Sequence, residues 1–243
     1  MNGLEYINND TMASCSADFT IKIWSISTGK TNLSIITQDP LGKTYFCQSL
    51  KLLINGIYIA TGGKYDATWI YNINDGSLVT GFQEINGNNA SNSGQIEDLI
   101  LIDYNTLATS SSGNTVAIWD LTKFTTKFIL QNHTNSVYGL KLVSSNILAS
   151  ASLDNTIKLW NLTTGNVIRT LANQTGGIYY AIDLFNQQTI LSGFSDGSIA
   201  FWDLIMGQLV YKITTTFDKL KSLANLNSTA QSNLFSFSSI KFI

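Results

Sequence analysis

One histidine, His133, is followed along the chain by two hydroxyls and a carboxylate, a set that could do acid–base or nucleophilic chemistry. The set is Ser150, Ser152 and Asp154, within LQNHTNSVYGLKLVSSNILASASLDNTIKLWNL. A catalytic serine would need an open cleft, an oriented base and donors for an oxyanion. The structural alternative is a buried network, because a buried imidazole and a buried carboxylate each need hydrogen-bond partners. The surrounding sequence distinguishes the two hypotheses.

The stretch that contains Ser150 belongs to a repeat with five copies. ASASLDNTIKLWNL begins at Ala149, and its relatives are ASCSADFTIKIWSI, ATGGKYDATWIYNI, ATSSSGNTVAIWDL and LSGFSDGSIAFWDL. The same position of every copy holds an aromatic residue: Trp24, Tyr71, Trp119, Trp160 and Trp202. These aromatic residues are 41 to 48 residues apart, which predicts a repeat architecture.

Each repeat predicts four short β-strands. In the fourth copy, residues 156–160 alternate and contain β-branched side chains, as a half-buried strand does. The turn sequences SLDN and NLTTGN flank this strand, and further strands are predicted at 137–142, 147–151 and 167–171. No segment predicts a helix of normal length, so the predicted fold class is all-β.

Four-stranded units that end in WDL at Trp119 and Trp202, or in WNL at Trp160, resemble WD repeats, whose period is about 40–45 residues. The resemblance covers residues 4–211 and implies a β-propeller of four-stranded antiparallel blades around a central channel. Residues 1–243 then form a single propeller domain. The expected repeat cores lie near 4–36, 45–83, 96–130, 137–171 and 178–213, with a degenerate partial blade at 217–243.

The blade count indicates a propeller that is incomplete or irregularly closed. About five to six blades are visible, within the range of four to eight that propellers span but below the family's usual seven. Residues 1–7 are expected to supply only part of a first strand. Three explanations stay open: the chain is a fragment of a longer propeller, it closes as an irregular ring, or another chain donates the missing strands.

The resemblance also implies a role for the histidine. In a WD repeat this histidine bonds a Ser or Thr of the second strand and the Asp of the tight turn, and the hydroxyl bonds the Trp indole. By position, the set in this chain is His133, Ser150, Asp154 and Trp160. A structural network is therefore predicted, with no catalytic residue.

The other copies keep less of this network. The retained members are Ser14, Asp18 and Trp24 in the first copy, Thr61 in the second, Thr109 and Trp119 in the third, and Ser192, Asp196 and Trp202 in the fifth. Tyr65, Gly113 and Gln174 replace the Asp or the His in three copies. We expect apolar packing and strand ladders to hold those four blades.

Composition disfavours several classes of site and partner. Charged residues make up 12% of the chain, the net charge is −2, and Arg169 is the one arginine. The sequence therefore shows no basic patch of the kind that would predict nucleic-acid binding. Cys15 and Cys47 with a single histidine cannot complete a zinc site, and free thiols are favoured over a disulfide. No cofactor or metal is predicted.

The chain has neither the start of a signal peptide nor an apolar run of the roughly 20 residues that cross a bilayer. We therefore expect a soluble intracellular protein with no membrane contact, in the cytoplasm, with the nucleus as the alternative. An acidic group, Glu97, Asp98 and Asp103, flanks an apolar strand. Strand-end solvation is the favoured interpretation of that group, which leaves an enzyme the less favoured hypothesis.

Propellers of this family act as rigid platforms, so the resemblance implies a non-catalytic scaffold or adaptor that presents loops at one mouth of the channel to other proteins. The family's contact positions bracket the motif. In this chain they are Ser136, Tyr138, Leu153, Asn155, Tyr179, Ser195, Gly197, Ala17 and Phe19. The alternative is a substrate-receptor subunit of a ubiquitin ligase or of another multiprotein complex, although no WD-x-Arg docking motif is present.

Overall fold

The computed structural model describes residues 1–53, 56–63, 67–83, 94–172 and 179–213. These residues form five four-stranded antiparallel sheets, and each sheet is a meander in chain order. The fold-class prediction of an all-β chain with four-stranded blades is confirmed. The predicted partial blade at 217–243 lies outside the described residues.

The strand bounds follow the repeat. The first sheet contains β1 Gly3–Asn8, β2 Thr11–Cys15, β3 Thr20–Ser25 and β4 Thr31–Ile36. The second contains β5 Cys47–Leu52, β6 Tyr58–Gly63, β7 Ala67–Asn72 and β8 Leu78–Gln83. The third contains β9 Ile96–Asp103, β10 Thr106–Ser111, β11 Thr115–Asp120 and β12 Thr125–Gln131. The fourth contains β13 Val137–Ser144, β14 Ile147–Ser152, β15 Thr156–Asn161 and β16 Val167–Ala172, and the fifth contains β17 Tyr179–Asn186, β18 Thr189–Phe194, β19 Ile199–Asp203 and β20 Gln208–Ile213.

The hydrophobic core lies between the sheets. The first strand of each sheet packs against the first strand of the next, β1 on β5, β5 on β9, β9 on β13 and β13 on β17. Side chains alternate along a strand, so one face of a sheet packs on the preceding sheet and the other face on the following sheet. Trp160, for example, packs with the third sheet, whereas its neighbour Leu159 packs with the fifth.

The first sheet has all four strands, but β1 has six residues where β9, β13 and β17 have eight, which agrees with the expectation that residues 1–7 supply only part of a first strand. β1 pairs with β2 from Gly3 opposite Cys15 to Asn8 opposite Thr11.

Among the described strands, none of the fifth sheet packs extensively on the first, so the five sheets are not closed into a ring. The outward face of the first sheet is consequently less buried than its counterparts. Leu4 and Tyr6 are exposed by 44% and 59%, and Trp24 is half-buried, whereas the three other repeat tryptophans are each 1% exposed.

Cys15 and Cys47 are free thiols, both buried between the first and second sheets. No helix in the described ranges has the length and apolar character needed to cross a membrane.

Candidate functional site

The side chains predicted to form the polar network lie together in the fourth sheet. His133 Nδ1 lies 2.7 Å from Asp154 Oδ2, and its Nε2 lies 2.7 Å from Ser150 Oγ. The Trp160 indole N–H donates to the same Ser150 oxygen at 2.7 Å. Because the carboxylate can only accept, Nδ1 donates to Asp154, and in the Nδ1–H tautomer Nε2 accepts the Ser150 hydroxyl proton.

Asp154 is held by more than the histidine. Its Oδ1 accepts the Thr156 backbone N–H at 2.9 Å and the Thr156 hydroxyl at 2.6 Å, and its Oδ2 accepts the Thr134 N–H at 3.1 Å. Burial alone would raise the pKa of the Asp154 carboxyl, but these bonds and that of His133 hold the pKa well below its usual range. The carboxylate therefore ties the segment before β13 to the turn between β14 and β15.

This arrangement gives a substrate no access to the hydroxyls. Ser150 and Ser152 are both 0% exposed. Ser150 Oγ already bonds a ring nitrogen and an indole, and the Ser152 hydroxyl donates to the Asn135 carbonyl at 2.9 Å. Such a saturated group of hydrogen bonds can order a blade, and it does not present a nucleophile.

One bond of the network recurs in every sheet that has the repeat tryptophan. The other indoles donate to a second-strand hydroxyl at 2.8 to 2.9 Å, in the pairs Trp24–Ser14, Trp119–Thr109 and Trp202–Ser192. The turn carboxylates of the first and fifth sheets, Asp18 and Asp196, are exposed and accept bonds from their own turns. Those blades are thus held by a buried polar bond in addition to apolar packing. Tyr65 and Gln174 lie outside the described residues.

The second sheet replaces the indole bond with a different polar cluster. The Tyr71 hydroxyl lies 2.8 Å from the Tyr45 hydroxyl, and it both accepts the Gln38 N–H and donates to the Gln38 carbonyl at 2.9 Å. Trp69, which has no place in the repeat pattern, stacks on Tyr45 with ring centroids 5.9 Å apart. Burial raises the pKa of both phenols, so both stay protonated and able to donate.

Asp98 belongs to the packing between sheets, so strand-end solvation was the wrong interpretation for this member of the acidic group. Asp98 Oδ2 accepts the Leu140 N–H of the fourth sheet at 3.0 Å, and its Oδ1 lies 3.4 Å from the Ser49 hydroxyl of the second sheet. Glu97 is half-buried beside it, and only Asp103 is exposed at the end of β9. The described residues contain no cluster of three or more His, Cys, Asp or Glu side chains that could hold a metal ion.

Glu97→Gln should stabilise the protein at pH 8 and leave its stability at pH 4 unchanged. Burial raises the pKa of Glu97 from 4.5 to about 7, so the folded state holds a proton that the unfolded state releases, and stability falls as pH rises through this window. After allowance for solvent screening the gain is about 1–2 kcal/mol, measured by urea unfolding at both pH values. An equal gain in stability at pH 4 would show that the raised pKa of Glu97 is not its cause.

The candidate contact residues lie at one end of the sheets. This end holds the turns between the second and third strands and the start of each first strand. We call this end the mouth. Its exposed members are Ala17, Phe19, Ser195 and Gly197, and its half-buried members are Ser136, Tyr138, Leu153 and Asn155. The Ser136 hydroxyl donates to the Ser112 carbonyl of the third sheet at 3.2 Å. The side chain of Tyr179 lies outside the described part.

Phe19 differs from its counterparts in the other mouth turns. The equivalent turn position is left-handed in four sheets, with φ of 68° at Phe19, 71° at Asn114, 65° at Asn155 and 76° at Gly197. Asn and Gly adopt this conformation readily, whereas a bulky side chain is strained in it. Phe19 is also 43% exposed, and no ring in the described part of the chain packs on it.

The opposite end of the sheets has a second phenylalanine of this kind. Phe124 has φ of 54° at a turn position that is otherwise glycine, as at Gly165. Its ring stacks on Phe82 with centroids 6.3 Å apart, so packing compensates the strained backbone. Phe19 has no such ring contact within the described part of the chain.

The family model described as "WD domain, G-beta repeat" matches residues 5–25 and 124–161. No curated protein matches the sequence. Among solved structures, the WD40 beta propeller domain of Doa1 is 22% identical with a TM-score of 0.72, covering 88% of this chain and 68% of that one. U3-55K is 19% identical with a TM-score of 0.76, covering 88% of this chain and 64% of that one.

The family match covers β1–β3 and β12–β15, and the likeness of fold agrees with the four-stranded sheets. The chain spans about two thirds of the length of the solved propellers. Two segments of this chain thus match the WD-repeat family model, and its fold is that of WD40 β-propeller domains.

Proposed function

We propose that this chain is a non-catalytic scaffold that binds other proteins through the loops at its mouth. WD-repeat propellers are generally platforms for protein–protein contacts, and function in such folds depends on the side chains that the loops present. The saturated network around His133 supports a rigid framework beneath these loops.

Phe19 is the observation that favours the mouth as the contact surface. It is an exposed aromatic side chain on a left-handed backbone, at a position where asparagine or glycine would be relaxed. A strained residue of this kind supports a hypothesis of function, and exposed aromatic anchors are typical of contact surfaces. Ala17, two residues before Phe19 in the same turn, is small and exposed.

Phe19→Asn should raise the stability of the protein and weaken the capture of its partners. Relief of the backbone strain at Phe19 should raise the free energy of unfolding by about 1 kcal/mol. Loss of the ring should reduce the amount of each captured protein by about tenfold, the effect of 1.4 kcal/mol. Capture on the immobilised full chain, read by quantitative mass spectrometry, measures the second effect.

Phe124→Asn is the matched control. It relieves the same backbone strain at the opposite end of the sheets, loses the contact with Phe82, and should leave capture unchanged. Equal capture by the Phe19→Asn variant and the unmodified chain would exclude Phe19 as a contact. Equal losses in both variants would show that the mouth is not the surface involved.

A further inference from the structure

The connection between the first and second sheets forms an ordered loop at the mouth. It leaves β4 after Ile36, and its base is closed by the buried residues Thr37 and Tyr45. The Tyr45 N–H donates to the Thr37 carbonyl at 3.1 Å, and the Thr37 hydroxyl donates to the Tyr45 carbonyl. We call residues 38–44, which lie between these two residues, the 38–44 loop.

Hydrogen bonds within the 38–44 loop fix the conformation of its tip. Asp39 Oδ1 accepts the backbone N–H groups of Leu41 and Lys43, both at 2.9 Å. The Gly42 N–H donates to the Asp39 carbonyl, also at 2.9 Å. Gly42 has φ of 79°, a left-handed conformation that suits glycine, and the ring of Pro40 fixes φ at the residue before Leu41. The sequence of the loop therefore orders its own backbone around Leu41.

The polar cluster of the second sheet ties this loop to the body of the protein. The Tyr71 hydroxyl accepts the Gln38 N–H and donates to the Gln38 carbonyl, so both backbone groups of the first loop residue are bonded. The four other described sheets have tryptophan at the position of Tyr71, and each indole bonds a hydroxyl within its own sheet. In the second sheet the repeat aromatic thus holds a loop at the mouth.

Three exposed apolar side chains lie in this part of the mouth. Leu41 is 94% exposed, the largest fraction of any large apolar side chain in the described ranges. Ile36, at the base of the loop, is 57% exposed and lies opposite Thr20 in the register of β3 and β4. The Thr37 N–H donates to the carbonyl of Phe19 at 2.8 Å, so the loop is bonded to the turn that carries this ring. We call Phe19, Ile36 and Leu41 the apolar corner.

The corresponding positions in the third and fourth sheets are not occupied by large apolar residues. Asn114 and Asn155 align with Phe19, and Gln131 and Ala172 align with Ile36 by register. The blade pattern therefore does not require an apolar corner, since two sheets of the same fold lack it.

The shape of the apolar corner indicates what kind of partner it fits. A small ligand or a peptide binds in a concave site that surrounds it. Leu41 instead projects into solvent, and a Cβ added at the neighbouring Gly42 would meet no atom within 4 Å. Water leaves such a side chain only when the partner encloses it. The matching occupant is therefore a folded protein with an apolar cavity.

We propose that Leu41 anchors the partner contact by entering an apolar cavity of a folded partner protein, with Phe19 and Ile36 against the rim of that cavity. This inference rests on the proposed function of the mouth and names the class of partner. Because the 38–44 loop is ordered before binding, the contact loses little conformational entropy in the loop backbone.

Leu41→Ala should reduce the capture of partner proteins on the immobilised full chain by about tenfold. Tm should not change, because a side chain that is 94% exposed contributes almost no packing. Leu41→Met keeps the volume of the side chain and should keep most of the capture. Tyr104→Ala is the matched control. Tyr104 is 76% exposed in the turn between β9 and β10, at the end opposite the mouth, so this variant should capture as the unmodified chain does.

Undiminished capture by Leu41→Ala together with a loss in Phe19→Asn would overturn the anchor and leave the proposed function standing. Undiminished capture by both variants, or no capture by the unmodified chain, would contradict the proposed function as well. The captured proteins should no longer bind once they are digested to tryptic peptides. A peptide that still bound in a Leu41-dependent manner would reveal a linear segment as the occupant and overturn the folded cavity.

Tyr71→Phe tests whether the polar cluster positions the anchor. The change removes the hydroxyl that bonds Gln38, so the amide hydrogens of the 38–44 loop should exchange faster and capture should fall, although Tyr71 itself is buried. Trp119→Phe is the matched control, because it loses the corresponding bond, to Thr109 in the third sheet, and should alter neither measurement. Unchanged capture by Tyr71→Phe, or an equal loss in both variants, would overturn the positioning role.

Discussion

Ser150→Ala should lower the free energy of unfolding by about 2–4 kcal/mol, because one hydroxyl serves two buried groups. Its oxygen accepts the Trp160 indole N–H, and its proton goes to His133 Nε2, both at 2.7 Å. Alanine leaves a buried donor and a buried acceptor without partners, and water has no route to replace them at a site that is 0% exposed. Urea unfolding followed by tryptophan fluorescence measures the loss.

Ser192→Ala is the matched control for Ser150→Ala. Ser192 occupies the same register position in the fifth sheet, and its one bonding partner among the described residues is the Trp202 indole N–H, at 2.8 Å. The expected loss is about 1–2 kcal/mol, so the difference between the two variants isolates the contribution of the bond to His133. Equal losses would mean that this bond adds nothing to stability.

The blades and the main polar network could be predicted because both depend on a short repeated pattern. The position of each repeat aromatic determines which strand faces are buried, and the second-strand hydroxyl opposite it, such as Ser14 or Ser192, supplies the acceptor for the indole. The His133 set follows from the same register. Errors arose where a contact joins residues outside one repeat.

Three features of the candidate site were not predicted from the sequence. The Tyr71 hydroxyl bonds the backbone of Gln38, which lies in the connection between two sheets. The repeat pattern shows that Tyr replaces Trp at this position, but it does not show this partner. Asp98 bonds residues of both neighbouring sheets. The sequence of β9 alone does not show which of its side chains those sheets contact. The left-handed φ of Phe19 contradicts residue preference, although its alignment with Asn155 and Gly197 was a usable indication.

His133→Ala should lower the free energy of unfolding by about 1–3 kcal/mol and leave partner capture at its original level once the variant is folded. The change removes the donor to Asp154 Oδ2 and the acceptor of the Ser150 hydroxyl proton. Asp154 keeps three hydrogen bonds from Thr134 and Thr156, which continue to stabilise the carboxylate. The loss in free energy of unfolding is therefore smaller than for a buried charge that has lost all its partners. An unchanged free energy of unfolding would contradict the structural role.

The His133→Ala and Ser150→Ala double variant separates a network from independent contacts. Both single changes remove the same bond between Nε2 and Oγ, so the double variant should lose less than the sum of the two by about 1 kcal/mol. The His133→Ala and Ser192→Ala pair lies in different sheets, shares no bond and should be additive. Additivity in both pairs would mean that His133 stabilises the blade through packing on Trp160, whose ring lies 5.9 Å away, and not through the hydrogen bond to Ser150.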